Sequence, residues 1–162
     1  YDQPTTTAYG IAGNIFDAKL KELSGGKLSI NQFPGGQLGQ EPQMLQKLRS
    51  GDIDFVITST ANASTVAPQA GVFSLHFLFR DQAHLQKALA DPAIAAEFRA
   101  LVKDQVQGAQ VLGLLTMGLR NMYSKQEVKS VDDIKGKKVR VQATKTEDTH
   151  FPAYGMWTVC AP

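Results

Sequence analysis

The stretch KLSINQFPGGQLGQEPQMLQKLRSGDIDFVI, residues 27–57, decides how this chain is read. In KLSINQF, Leu28 and Ile30 alternate with Ser29 and Asn31, the period of a half-buried strand. Pro34-Gly35-Gly36 punctuates the chain, and a helix is predicted from about residue 41 to 50, burying Met44, Leu45 and Leu48. Gly51-Asp52 then turns the chain into the apolar strand IDFVI, residues 53–57. Strand, helix and strand joined by short connections predict an α/β fold. The unbroken apolar run at 53–57 suits a strand covered on both faces.

Working outward, a first helix is predicted to start among Thr5, Thr6 and Thr7, whose hydroxyls suit orphan N–H groups. Ile11, Ile15, Phe16, Leu20 and Leu23 recur at helical spacing, and Ser24-Gly25-Gly26 ends the run. Residues 81–107 read as helical, interrupted at Asp91-Pro92, where proline fits the first turn of a new helix. AQVLGLLTMG (109–118) reads as a further buried strand, VDDI (131–134) as a helical turn and KKVRV (137–141) as a strand. Residues 147–154 form a weaker helix carrying Pro152, and TVCAP (158–162) begins another strand.

The 162 residues suffice for one domain with a proper core, or for part of a larger one. Seventeen cationic and fifteen anionic side chains leave a formal charge of +2. With no global field to hold phosphates or a membrane surface, any electrostatic function is local. The single cysteine, Cys160, supports neither an intramolecular disulfide nor a clustered-thiolate zinc site, and its apolar setting reads as that of a small buried residue. No apolar run approaches the roughly 18 residues that suggest a membrane span. There is no GxSxG elbow, HExxH or nucleotide-binding loop, and His76, His84 and His150 are not at metal-ligand spacing, so neither metal nor cofactor is implied. Gly25-Gly26 follows a helix and reads as its C-cap. Gly35-Gly36 lies between a strand and a helix, but without the lysine of a nucleotide loop it reads as a plain turn.

The most basic stretch, KGKKVRV (135–141), has three readings: a nucleic-acid patch, a solvated strand edge, or one ligand-catching arginine among bystander lysines. Alternation along the strand puts Lys138 and Arg140 on one face and Lys137, Val139 and Val141 on the other, with the valines marking the buried side. A nucleic-acid patch wants stacking aromatics and more cations, whereas Asp132, Asp133, Glu147 and Asp148 flank this run. A second arginine, Arg120, follows the buried run VLGLLTMGL, where open α/β sheets place their ligands. Two guanidiniums on adjoining strand ends could grip a carboxylate, each charge-assisted hydrogen bond contributing about 1.5–3 kcal/mol.

Three blocks together resemble one family. LSGGKLSINQFPGGQLGQEPQMLQKLRSGDIDFVI (23–57), VFSLHFLF (72–79) and RNMYSKQEVKSVDDIKGKKVRV (120–141) follow, with spacing kept, the pattern of DctP-type solute receptors of TRAP (tripartite ATP-independent periplasmic) transporters. The resemblance implies a two-lobed periplasmic-binding-protein fold that closes on a small organic acid and delivers it to the membrane subunits of a sodium-coupled transporter. On that pattern Arg140 is the carboxylate clamp, and Arg120, twenty residues earlier, also faces the cleft. Further pocket positions fall on Ser59, Asn62, Gln40 and Ala143, and near Tyr1 and Asp2. His76 stands where the family often has proline, and so is expected to alter the turn or to offer the ligand a donor. Neutral Gln40 and Ser59, at positions acidic in some members, suggest a plain carboxylate ligand. Residues 1–124 correspond to the first lobe without its first strand, and 125–162 to the hinge and the start of the second lobe. The natural protein is therefore expected to be longer. An enzyme acting on a small carboxylate on a similar scaffold is the alternative, and it lacks any cue for a base.

Overall fold

The structure is a computed structural model that describes every residue except Gln107, Ala161 and Pro162. The chain divides into two compact units, Tyr1–Ser59 and Thr60–Pro162.

In the first unit, helix α1 spans Ala8–Ser24 and ends at Gly25, whose φ of 62° is the left-handed cap conformation that glycine adopts without penalty. The N–H of Gly26 donates to the Lys21 carbonyl at 2.8 Å, closing the last turn. Helix α2 spans Glu41–Ser50 and ends in the same way at Gly51. Met44 and Leu45 are buried as the periodicity predicts, and Leu48 is half-buried. The stripe on α1 behaves differently: Ile11, Ile15 and Leu23 are exposed, and Tyr9, Gly10 and Gly13 are buried. Small residues explain the inversion. A Cβ on Gly10 would collide with the Thr5 backbone, and one on Gly13 with the Gln32 side chain, so the glycine side of the helix takes the close contacts. Gly35 and Gly36 donate their N–H groups to the carbonyls of Gln3 (2.9 Å) and Tyr1 (3.2 Å), which occupies them in a turn rather than a phosphate cradle.

The second unit opens with helix α3 (Thr60–Ala63) and a 3₁₀ segment, Pro68–Ser74. Helix α4 (Gln82–Ala90) and helix α5 (Pro92–Gln105) break where the sequence predicts, at Asp91-Pro92. The Asp91 carboxylate caps α5 by accepting from Ala93 N–H at 2.8 Å, and Asp81 caps α4 by accepting from His84 N–H at 2.7 Å. Ala67, Ala70, Phe98 and Val106 form the core, with Phe73, Val102 and Val111 packed against it.

Strand β1 (Lys138–Val141), helix α6 (Lys145–Ala153) and strand β2 (Trp157–Cys160) form a β-α-β unit. The strands pair in parallel with Arg140 opposite Val159, a geometry that requires a crossover such as α6. Lys138 and Arg140 face solvent, Val141 is buried and Val139 is half-buried, as alternation predicts. Pro152 falls in the last turn of α6, close to the natural end of the helix.

Among the described residues, β1 and β2 form the only sheet, so the strands predicted at 27–33, 53–57 and 109–118 carry no ladder. Several of their backbone groups bond to side chains and turns. Ile30 N–H donates to Asp17 Oδ1 at 2.9 Å, and Ile53 N–H reaches the Lys47 carbonyl at 3.4 Å. The Arg99 guanidinium donates to the carbonyls of Val111 and Leu112, each at 3.2 Å. The helix predicted to reach residue 107 is described as far as Gln105, Gln107 lying outside the described residues. Of the strand predicted over 158–162, Ala161 and Pro162 lie outside them too. Cys160 corrects another expectation: it is exposed, and its thiol donates to Asp148 Oδ1 at 3.3 Å. That bond and the Asp148 charge hold the thiol above its ordinary range, the reverse of activation.

Candidate functional site

Each unit buries a glutamate among the residues that the sequence singles out. In the first unit it is Glu41, the first residue of α2, where a carboxylate also meets the positive end of the helix dipole. Its Oε2 accepts from Thr58 Oγ1, Ser59 N–H and Ser59 Oγ, each at 2.9 Å. Oε1 faces the Tyr9 hydroxyl at 3.5 Å. Burial, followed by the neighbouring Glu41 charge, raises the Asp2 carboxyl above the usual carboxylate range. The structure thus brings Asp2 and Ser59 together around Glu41, a residue the sequence reading did not single out. Its only signal was an acidic side chain in a helix's first turn, which is ordinary capping chemistry. Gln40 sits at the N-cap of α2, exposed, with its backbone N–H donating to Gln43 Oε1 at 2.9 Å.

In the second unit the buried glutamate is Glu147, in the first turn of α6. Its two oxygens divide between two partners: Oε1 lies 3.4 Å from Arg120 Nη1, and Oε2 lies 3.4 Å from His76 Nε2. The Arg120 side chain is 63% exposed and also donates to Gln142 Oε1 at 2.6 Å. Gln142 immediately follows β1 and stands two residues past Arg140, so Arg120 is held at the carboxyl end of the strand that carries Arg140. Ala143, next along, is exposed, while Asn62 is half-buried on α3.

His76 is bonded on both sides of its ring, with Nδ1 at 3.2 Å from the Tyr154 hydroxyl and Nε2 facing Glu147. Its ring centroid lies 4.4 Å from that of His150 and 5.1 Å from that of Phe151. The turn is unusual, as the departure at this position predicts: Phe77 has a φ of 60°, costly for a bulky side chain, and is exposed. Among the bystander lysines, Lys135 pairs with Asp132 at 2.6 Å and Lys137 donates to Gln126 Oε1. Among the described residues no group of three or more His, Cys, Asp or Glu could hold a metal ion, and no helix is long and apolar enough to cross a membrane.

The described residues form a mixed helix-and-strand fold with polar clusters around two buried carboxylates, and known structures share that fold. The chain superposes on a TRAP periplasmic solute binding protein from Xanthobacter autotrophicus with bound β-D-galacturonate, with a TM-score of 0.91 and 31% identity over 99% of this chain and 53% of that one. It likewise matches a TRAP periplasmic solute binding protein from Citrobacter koseri with bound D-glucuronate, with a TM-score of 0.85 and 30% identity over 98% of this chain and 53% of that one. Among curated relatives, the C4-dicarboxylate-binding protein DctB of Bacillus subtilis is 31% identical over 92% of this chain and 42% of its own length. The 2,3-diketo-L-gulonate-binding periplasmic protein YiaO of Escherichia coli is 30% identical over 96% of this chain and 47% of its own. The chain thus spans a little under half the length of these two curated relatives. The DctP model, described as "Bacterial extracellular solute-binding protein, family 7", matches residues 1–159, and the chain belongs to that family.

Proposed function

We propose that the protein is a periplasmic receptor that captures a small hydroxylated organic acid and delivers it to the membrane subunits of a sodium-coupled TRAP transporter. Arg140 clamps the ligand carboxylate and Arg120 assists. Residues 1–124 belong to the first lobe, and 125–162 to the hinge and the start of the second. Closure of the lobes excludes water and strengthens both guanidinium contacts. The observation that carries the reading is the placement of Arg120 by Gln142 at the strand end just beyond Arg140.

The preference for a hydroxylated acid over the plain one suggested by the sequence comes from the two solved relatives, whose bound uronates carry hydroxyls. Gln40, Asn62, Asp2 and Ala143 complete the pocket in this reading. His76 acts behind it rather than as a donor to the ligand.

Titration calorimetry of the intact protein with D-galacturonate, D-glucuronate and succinate tests the proposal. Arg140→Ala is expected to lose about 2–5 kcal/mol of affinity for the bound acid, and Lys138→Ala to change it little. Equal losses from the two variants rule out a single clamp. Recovery of a chemically altered acid after incubation replaces binding by catalysis.

A further inference from the structure

Glu147 and His76 stand behind Arg120, and neither is needed to hold α6 or β1 together. The helix has its own cap, since Thr144 Oγ1 accepts from the Glu147 N–H, and the strand has its ladder to β2. The Glu147 side chain nonetheless lies almost fully buried, 4% exposed, with one oxygen toward Arg120 and the other toward His76. Burying a carboxylate is costly unless cations compensate. Arg120 supplies one full charge, and His76 supplies a second only when protonated.

We propose that Glu147 competes with a bound carboxylate for Arg120, and that His76, acting through Glu147, sets how much of the Arg120 charge that carboxylate meets. The inference rests on the reading of Arg120 as an assistant clamp. With His76 neutral, Arg120 and Glu147 cancel and the cluster carries no net charge toward the ligand. With His76 protonated, the cluster carries one positive charge, and Glu147 is drawn from Arg120 toward the imidazolium. Both effects strengthen carboxylate capture. Linkage is reciprocal: if protonation tightens binding, binding takes up a proton.

The groups facing His76 are Glu147, His150, Phe151 and Tyr154 from α6 and its C-cap, and Phe77 from its own segment. Arg120 reaches it only through Glu147. Lys145 and His150 line an open depression on the same unit, and His150 is the control histidine for the test. Tyr154 is phenolic and Arg120 a guanidinium, so within the cluster the two imidazoles are the groups that a pH experiment near neutrality addresses.

The test is calorimetry of the intact protein with D-galacturonate, an acid that stays ionised across this range. Affinity is expected to tighten roughly three- to tenfold from about pH 8 to 5.5, as one added charge a few ångströms behind the clamp predicts. Repeating the pH 6.5 titration in two buffers of different ionisation enthalpy is expected to show net proton uptake on binding. His76→Gln is expected to flatten the pH dependence, whereas His150→Gln retains it. Glu147→Gln is expected to tighten binding at pH 8 and to flatten the profile. Binding by the wild type without proton uptake overturns the inference even if no variant folds. An unchanged slope in His76→Gln, or a slope lost in His150→Gln alone, also overturns it while leaving the arginine clamp standing. A failure of D-galacturonate, D-glucuronate and succinate alike to bind at any pH overturns the clamp reading, and this inference with it.

Discussion

Glu41 and Glu147 are the same residue type, equally buried and each in the first turn of a helix, yet the contacts on their oxygens differ in number and length. Around Glu41, two hydroxyls and an N–H of Thr58 and Ser59 converge on one oxygen at 2.9 Å, with the Asp2 carboxyl and the Tyr1 ammonium as charged neighbours. Around Glu147 the contacts are to cationic or ionisable partners, one per oxygen, at 3.4 Å. The short neutral set works as a clasp, fixing the end of the 53–59 segment to the start of α2. The longer ionic set leaves a charge that a competing anion can draw on.

One substitution made at both positions puts this contrast at risk. In Glu41→Gln an amide replaces the charge that assists three hydrogen bonds, lowering each from about 1.5–3 kcal/mol to about 0.5–1.5. With the amide's lower desolvation cost offsetting part of that loss, a destabilisation of about 2–3 kcal/mol in urea unfolding of the intact protein is expected. A loss below about 1 kcal/mol breaks the clasp description of Glu41.

Glu147→Gln comes next in size. Its contacts are longer than the roughly 2.7–2.9 Å of strong charge-assisted bonds, and Arg120 is mostly in water, so little stability is lost with the charge. The amide also escapes the carboxylate's desolvation penalty. The expected change is within about 1 kcal/mol in the same urea assay. A loss matching that of Glu41→Gln erases the distinction between the two glutamates.

The same contrast explains what could be read from the sequence. Helix ends were legible because their signals are local: Gly25 and Gly51 at C-caps, Asp81 and Asp91 at N-caps. Strand β1 was legible from Lys138 and Arg140 alternating with Val139 and Val141, but its parallel pairing with β2 was not. The segments 27–33, 53–57 and 109–118 were read as laddered strands because apolar alternation says nothing of partners. Their hydrogen bonds run to Asp17, Lys47 and Arg99, contacts that are distant or irregular in sequence. At the candidate site, Arg120 could be read from its place after an apolar run. Glu147 could not, since its partner His76 lies 71 positions away and an acid in a helix's first turn is commonplace. The inward side of α1 was misread because glycines, not its isoleucines, make the close contacts.

The smallest effect sharpens the account of Glu41 from its neighbour's side. Burial and the Glu41 charge hold the Asp2 carboxyl above its ordinary range, with a hydrogen bond to Glu41 in the same direction. Between the unfolded and the folded titration points, the folded state therefore binds more protons than the unfolded chain, and stability falls as pH rises through that window. Above it, ionised Asp2 leaves a constant penalty; below the unfolded value the penalty is absent. Asp2→Asn keeps a donor for Glu41 and removes the charge. It is expected to stabilise the protein at pH 7 by less than about 1 kcal/mol, because water screens a half-buried group. Near pH 3 the gain should vanish in the same urea assay. A gain that persists at pH 3 points to packing, and a loss at pH 7 means that ionised Asp2 is supported by a partner other than Glu41.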